Sequence, residues 1–325
     1  MDEFDLIQRY FKRPYRKNAK VEIGVGDDAA VLAATPGRSL VVCADTMVSG
    51  VHFFSDVSPS DLGYKLAMVN LSDLAAMGAN PVWATLCLTL PTPDKTWIKS
   101  FSNGLYEALD IHDVTLVGGD TTKGPMSLTL QMGGEVESGQ AITRGGANIG
   151  DLVWVSGELG VAAYILGLRI EQREGGSVDT VQLGKLHNYL DRPEARVELG
   201  LAISGVASSC IDVSDGLLAD ASHICDASTV GIDLELDCLP LHPSLAEHLE
   251  LDKIINCALS GGDDYELLFT VDPYKQRTLF DISARLGIGL RKIGTVTNTG
   301  RVRCFRDSVD VSAKYANNLG FSHFS

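Results

Sequence analysis

No stretch of this sequence approaches the ~20 consecutive apolar residues that a membrane span requires. Its amino terminus, MDEFDLIQRYFKR, lacks the apolar core and small-residue cleavage site of a secretory signal, so a cytoplasmic protein is expected. The seven cysteines (Cys43, Cys87, Cys210, Cys225, Cys238, Cys257 and Cys304) are scattered, odd in number and include no CxxC pair. That argues against a disulfide framework and a thiolate zinc centre, and fits core residues in a reducing compartment. Basic residues are scarce as well: 27 Lys and Arg stand against 42 Asp and Glu, a formal net charge of −15. Such a field opposes DNA or RNA as the main partner and admits small phosphates only where metal ions intervene. There is no GxxxxGK[ST] loop and no HRD or DFG set. Any ATP chemistry therefore belongs neither to the P-loop NTPases nor to the protein kinases.

What is present is enough apolar material for real cores, with 45% hydrophobic and 21% charged residues. At ~150 residues per domain, 325 residues read as two domains. Apolar periodicity predicts helices near residues 4–12, 60–77 and 94–109, and strands at 40–46, 82–90, 114–117 and 126–132. Within 60–77, Leu62, Leu66 and Val69 form one stripe, and Asp73 continues it, turning a carboxylate inward. The run Val82 to Leu90 is apolar on both faces of a strand, which calls for a helical cover on one side and a second subunit on the other. The polar, glycine-rich segment Glu137 to Gly150 reads as the linker. Beyond it, strands are predicted at 152–156, 231–236, 266–271 and 291–296, helices around 158–169 and 194–204, and a strand-to-helix turn at 210–220. The expected architecture is α/β, with domains at 1–140 and 150–325.

Nearly every glycine-rich loop ends in aspartate: Gly24-Val25-Gly26-Asp27-Asp28-Ala29, Gly118-Gly119-Asp120, Asp212-Val213-Ser214-Asp215-Gly216 and Gly261-Gly262-Asp263-Asp264. Singly, each is turn chemistry. Four together, with Asp45 after a strand and the inward Asp73, point to carboxylates gathered for cations. The first loop fits a G-x-G-x-x-A dinucleotide fingerprint. Its two carboxylates would repel a bare pyrophosphate, however, at ~4 kcal/mol for unit charges about 4 Å apart and an effective dielectric of 20. Divalent cations reverse that sign, and Mg²⁺ held by carboxylates and substrate phosphates is the arrangement expected at nucleotide sites. For Asp215 a helix cap competes with metal binding. A structural role competes for His52, and solvent competes with phosphate for Arg144. Ser214 has no histidine-carboxylate partner arrangement in the sequence, which opposes a nucleophilic serine.

The segments GVGDDAAV (24–31), ADTMVSGVHF (44–53), NLSDLAAMGANP (70–81), GGDTTKGP (118–125), ITRGG (142–146), IDVSDGL (211–217), SGGDDYELLFT (260–270) and GFSHF (320–324) together resemble the bacterial thiamine-monophosphate kinases. The resemblance runs from the first helix to the last residues. It implies the two-domain fold of the aminoimidazole-ribonucleotide-synthetase-like ATP enzymes. The amino-terminal ATP- and Mg²⁺-binding domain would pair with its twin into a dimeric β-barrel, followed by a carboxy-terminal α/β domain. It implies a homodimer that uses several Mg²⁺ ions to move a phosphoryl group from ATP to thiamine phosphate. By position, Asp28, Asp45, Asp73, Asp120, Asp212 and Asp215 are implied as metal-binding carboxylates, with Asp73, Asp120 and Asp212 at the heart of catalysis. Gly119, Asp120, Arg144 and Ser214 are implied as ATP contacts, and His52, Asp263 and Phe321 as the thiamine-phosphate side. Two departures stand out. Cys43 and Ala44 occupy positions where hydroxyl side chains are expected, so metal contacts there would rest on backbone carbonyls. Asp263 replaces an expected Glu, which shortens its reach.

The chemistry is coherent in its own terms. A phosphate oxygen, whose second pKa is ~6, is already ionised near neutrality and needs no strong general base. What two approaching polyanions need is positioning and neutralisation. Two other readings compete. Selenophosphate synthetase and the hydrogenase-maturation relative share the superfamily but use a reactive cysteine, in the amino-terminal glycine loop or at the chain end, and neither place has one here. A non-catalytic, metal-dependent nucleotide-binding regulator is kept open by the Cys43-Ala44 departure.

Overall fold

The computed structural model describes residues 3–14, 20–176, 178 and 186–316. The chain divides into two units, Met1–Leu74 with Ala79–Gln140, and Ala75–Gly78 with Ala141–Ser325.

The first unit runs α1 (Glu3–Tyr10), β1 (Val21–Ile23), β2 (Val31–Leu32), β3 (Arg38–Val48), α2 (Pro59–Ala76), β4 (Asn80–Leu90), α3 (Lys95–Ile111), β5 (Thr115–Lys123) and β6 (Ser127–Glu137). α3 starts where it does because the Asp94 carboxylate accepts from Thr96 N at 2.8 Å and Trp97 N at 3.2 Å. Its Ile98, Phe101, Leu105 and Leu109, spaced three and four apart, are fully buried. α2 differs from the single stripe expected of it. Met68, Leu71 and Leu74 are buried along with Leu62, Leu66 and Val69. The reason is cover on more than one side. Cys43 Sγ of the sheet lies 3.4 Å from Asn70 O on α2, and an added Cβ on Gly104 of α3 would meet Ser60 O of α2 at 1.8 Å.

The main sheet of this unit has the order β3-β6-β4-β5, antiparallel except for the parallel pair β4 and β5. Along β4, Val82, Ala84, Leu86, Leu88 and Leu90 are buried, whereas Trp83, Thr85 and Thr89 are half-buried and Cys87 is exposed. The single chain thus covers one face of this strand. On the other face Val42 of β3, which is 51% exposed, shares a row with Gly133 and Trp83. Among the described residues the sheet does not close into a barrel. Four strands are too few, since a filled barrel takes about eight. β5 also runs on through Gly118-Gly119-Asp120 instead of stopping at Val117, because a bulge at Ala84/Thr85 keeps it in register with β4.

The second unit contains β7 (Leu152–Ser156), α4 (Val161–Arg173), α5 (Asn188–Asp191), α6 (Val197–Ile203), β8 (Ala207–Asp212), α7 (Leu217–Ser228) and β9 (Gly231–Glu235). It continues with α8 (Leu251–Ser260), β10 (Leu267–Val271), α9 (Gln276–Leu286), β11 (Leu290–Thr297), β12 (Val302–Arg306), β13 (Val309–Asp310) and α10 (Ser312–Tyr315). Its mixed sheet has the order β13-β12-β9-β11-β7-β10-β8. Every residue of β10 is buried, as expected of a strand covered on both faces. Ala221 and Ile224 of α7 and Ile255 and Leu259 of α8 pack with Val153, Val155 and Leu268. On the opposite face Phe280 of α9 meets Trp154 edge-on at 5.9 Å. The segment after Gln140 is anchored to this unit. Thr143 O accepts from Cys210 N at 3.0 Å, and Ser228 Oγ accepts from Gly146 N and Ala147 N at 3.1 and 3.2 Å. No helix among the described residues is long and apolar enough to cross a membrane.

Candidate active site

In the first unit, pairing register arranges the candidate residues. Asp45, Leu130, Leu86 and Gly119 form one row across the four strands, and Asp120 follows Gly119. Gly119 has φ +146°, and a Cβ there would lie 1.8 Å from Leu86 O, so only glycine lets the strand bring Asp120 to this height. Cys43 and Asp45 alternate onto the same face of β3. Burial, then the charges of Asp73 and Asp45, pushes the Cys43 thiol well up, so it stays protonated at neutral pH. Burial also raises Asp45. Asp45 and Asp73 therefore share one electrostatic environment around Cys43. Asp28 is exposed at the tip of the glycine loop, and its N–H donates to Asp27 Oδ1 at 2.8 Å, which ties up Asp27 in the turn. His52 Nδ1 accepts from Val48 N at 3.0 Å, which puts the neutral ring's proton on Nε2.

The second unit brings two candidate loops together. β8 ends at Asp212, which is 4% exposed and pairs with Leu267. Beyond it Ser214 O accepts from Asp263 N at 2.9 Å and Val213 O accepts from Tyr265 N at 2.8 Å, while Val213 N donates to Glu266 O at 2.7 Å. Ser214 and Asp263, which the resemblance implies on the ATP and thiamine-phosphate sides, thus lie on strapped loops. Asp263 and Tyr265 have φ of +68° and +51°, conformations non-glycine residues seldom adopt, and the Tyr265 hydroxyl donates to Asp263 Oδ1 at 2.8 Å. Arg144 is exposed, with its carbonyl accepting from Ser228 Oγ at 3.1 Å. Phe321 lies outside the described residues.

Two features, at Asp220 and at Glu266, went unread in the sequence, and Asp264, grouped there with the carboxylates gathered for cations, is instead turned to a backbone amide. Asp220 accepts the amides of Ser214, Asp215 and Gly216, so Asp215 is not the side-chain cap of α7; its N-cap is Gly216. Burial, then Asp212 and Asp215, pushes Asp220 up to about 8. Ligand atoms of Asp215, Asp220 and His223 lie within 4.8 Å of one another. Glu266 is buried beside Arg196, whose Nε and Nη2 donate to its two oxygens at 2.7 and 2.6 Å. Asp264 accepts Gly160 N on both oxygens at 3.1 and 3.0 Å, and desolvation raises its carboxyl well above the usual range. The spacing Gly216-x-x-x-Asp220 was the one available signal, a carboxylate in a first helical turn.

The donor chemistry suits a hard cation. Candidate ligands in both units are carboxylate oxygens, and around Asp220 the charges of Asp212 and Asp215, which add to burial in raising it, are ones that a divalent cation would relieve.

Residues 26–136 match the N-terminal domain of the AIR synthase related proteins and residues 148–307 their C-terminal domain. The chain is similar to the thiamine-monophosphate kinase of Escherichia coli K12, at 43% identity over 99% of this chain and 98% of that protein. Among solved structures it resembles the thiamine-monophosphate kinase from Stenotrophomonas maltophilia K279a. The TM-score is 0.83 and the identity 42%, covering 90% of this chain and 92% of that one. It also resembles AaThiL complexed with AMPPCP and TMP, with a TM-score of 0.77 and 30% identity, covering 90% and 89% of the two chains.

Proposed function

The chain belongs to the thiamine-monophosphate kinase family of AIR synthase related proteins, and from that premise we propose that it transfers the γ-phosphoryl group of ATP to thiamine monophosphate, giving thiamine diphosphate and ADP. The observation that carries this reading is the strapping of the Asp212–Gly216 loop to the Asp263–Glu266 loop. It joins the loop of Asp212, Ser214 and Asp215 to the loop of Asp263 through their backbones, which supports reading the two as parts of one site.

In this reading a terminal phosphate oxygen of thiamine monophosphate forms the new bond to the γ-phosphorus, and the bond from that phosphorus to the β,γ-bridging oxygen breaks. Asp28, Asp45, Asp73, Asp120, Asp212 and Asp215 are the carboxylates that would hold Mg²⁺. When bound, the ions neutralise the two phosphate groups and the charge that develops on the leaving ADP. Cys43 offers no thiolate. Among the described residues β3 pairs only with β6, and on such an edge every second carbonyl turns away from the ladder. One of the Cys43 and Ala44 carbonyls is thereby available in place of the missing hydroxyls. Gly119, Asp120, Arg144 and Ser214 contact ATP, while His52, Asp263 and Phe321 contact the thiamine phosphate. The Tyr265 hydroxyl holds the shortened Asp263 side chain in one orientation.

The protein works as a cytoplasmic homodimer. Two four-stranded sheets supply the eight strands a barrel takes, and Leu40 and Val42, 61% and 51% exposed on one sheet face, gain cover from the partner copy. Steady-state assays of Asp73→Asn and Asp120→Asn test the site. Each is expected to lose at least about 100-fold in kcat with its thermal midpoint preserved, since Asp73 is half-buried and Asp120 exposed, and taking one charge out of a group of carboxylates costs the metal-free fold little. Near-normal turnover with Mg²⁺ in either variant removes that residue from the site.

A further inference from the structure

Three consecutive backbone amides, those of Ser214, Asp215 and Gly216, converge on a single oxygen, Asp220 Oδ2, at 3.1, 3.2 and 3.2 Å. Asp220 is 2% exposed and stands in the first turn of α7, where the N-cap Gly216 has no side chain to satisfy the amides left open at a helix start. The acceptor comes instead from inside the helix and reaches back over the loop. Asp220 N also donates to Gly216 O at 3.0 Å, which closes the turn from its own backbone. The loop so held is the one strapped to the 263–266 segment through Ser214 O and Val213 O. Fixing the 214–216 backbone therefore also fixes the backbone of Asp263.

We infer that Asp220 is a positioning residue. Its carboxylate oxygen gathers the amides of Ser214, Asp215 and Gly216 and so sets the direction of the Ser214 and Asp215 side chains, without itself touching substrate or metal. The inference rests on the reading that Ser214 and Asp215 face ATP and its metal ions. A rival role is visible in the geometry, because Asp215, Asp220 and His223 are close enough to share a cation. The two roles need different chemistry. Gathering amides needs an acceptor oxygen, which an asparagine side chain also supplies. Ligating a hard cation draws on the carboxylate charge, which asparagine lacks.

The test uses the full-length protein with Asp220→Asn and Asp220→Ala. Amide hydrogen exchange across residues 213–217 is measured without substrate, and KM for ATP, kcat and the Mg²⁺ half-saturation are measured with it. Asp220→Ala is expected to speed exchange of the three amides by about 100-fold or more and to raise KM for ATP about tenfold. Asp220→Asn should bring exchange and KM back to within about threefold of the parent, with an unshifted Mg²⁺ half-saturation. Parent-like exchange in Asp220→Ala overturns the inference. So does an Asp220→Asn protein that loses protection, or one that needs much more Mg²⁺, the latter assigning Asp220 to the metal. If Asp220→Ala does not fold, the comparison of Asp220→Asn with the parent decides on the same two criteria. A parent protein without kinase activity would instead overturn the functional reading, and the exchange data would still settle what Asp220 holds.

Discussion

Arg196→Met is the perturbation whose size the structure sets most directly. Arg196 grips Glu266 with two donors at 2.7 and 2.6 Å, the side chains are 16% and 7% exposed, and Ser156 Oγ donates to the same carboxylate. Methionine keeps an apolar stem in place of the arginine's and removes both donors and the charge. Breaking a buried pair from one side costs about 3–5 kcal/mol, and the surviving Ser156 bond places this case toward the lower end. For a unit of roughly 150–250 residues, about 3 kcal/mol lowers the midpoint by about 6–12 °C. The Arg196 bond to Glu194 adds little to that figure, because the Glu194 side chain is 75% exposed. Glu266 lies three residues beyond Asp263 and its carbonyl accepts from Val213 N, so the loss should reach function as well. Scanning calorimetry of the full chain reads the midpoint, and initial rates read KM for thiamine monophosphate, which should rise more than KM for ATP. Arg196→Lys, with the charge but not the fork, should fall between. A midpoint within about 2 °C of the parent, with KM unchanged, would refute the claim that this pair anchors the substrate loop.

Sedimentation should show the parent as a dimer at micromolar concentration and Val42→Glu as a monomer, because the substitution puts a charge on the uncovered face of the amino-terminal sheet. A monomeric parent with full activity would contradict the pairing. Asp264, raised by desolvation, binds its proton more tightly folded than unfolded, where a carboxyl titrates near about 4. The stability it contributes is complete below that value and is lost as pH rises toward its folded value. Asp264→Asn keeps an acceptor for Gly160 N, so its midpoint should fall less steeply with pH; parallel curves for the two proteins would exclude the effect.

The elements that were legible in the sequence are those whose burial is regular. β7 appears at residues 152–156 as its apolar run predicts, and α3 differs from expectation only by a residue or two at its ends. α8, α9 and β12 were not read, although α8 buries Ile254, Ile255, Ala258 and Leu259 and α9 buries Leu279 and Ile282 at helical spacing. The inward turn of Asp73 followed from helical spacing, and its influence on Cys43 shows the same geometry. Asp220, Arg196 and Glu266 stayed hidden for a different reason. Arg196 and Glu266 meet across 70 residues of chain, and Asp220 acts on backbone amides, which have no sequence signature. The bare face of β4 was legible as an apolar strand, but one chain can show only that it is uncovered.

Product analysis tests the central claim most directly. Purified protein is incubated with ATP, Mg²⁺ and thiamine monophosphate, and in parallel with free thiamine, and thiamine diphosphate and ADP are quantified chromatographically. The predicted result is one thiamine diphosphate per ADP from thiamine monophosphate and no phosphorylation of free thiamine, whose neutral alcohol needs a base that this site does not present. ADP released without thiamine diphosphate, or comparable kcat/KM for thiamine and thiamine monophosphate, would contradict the claim.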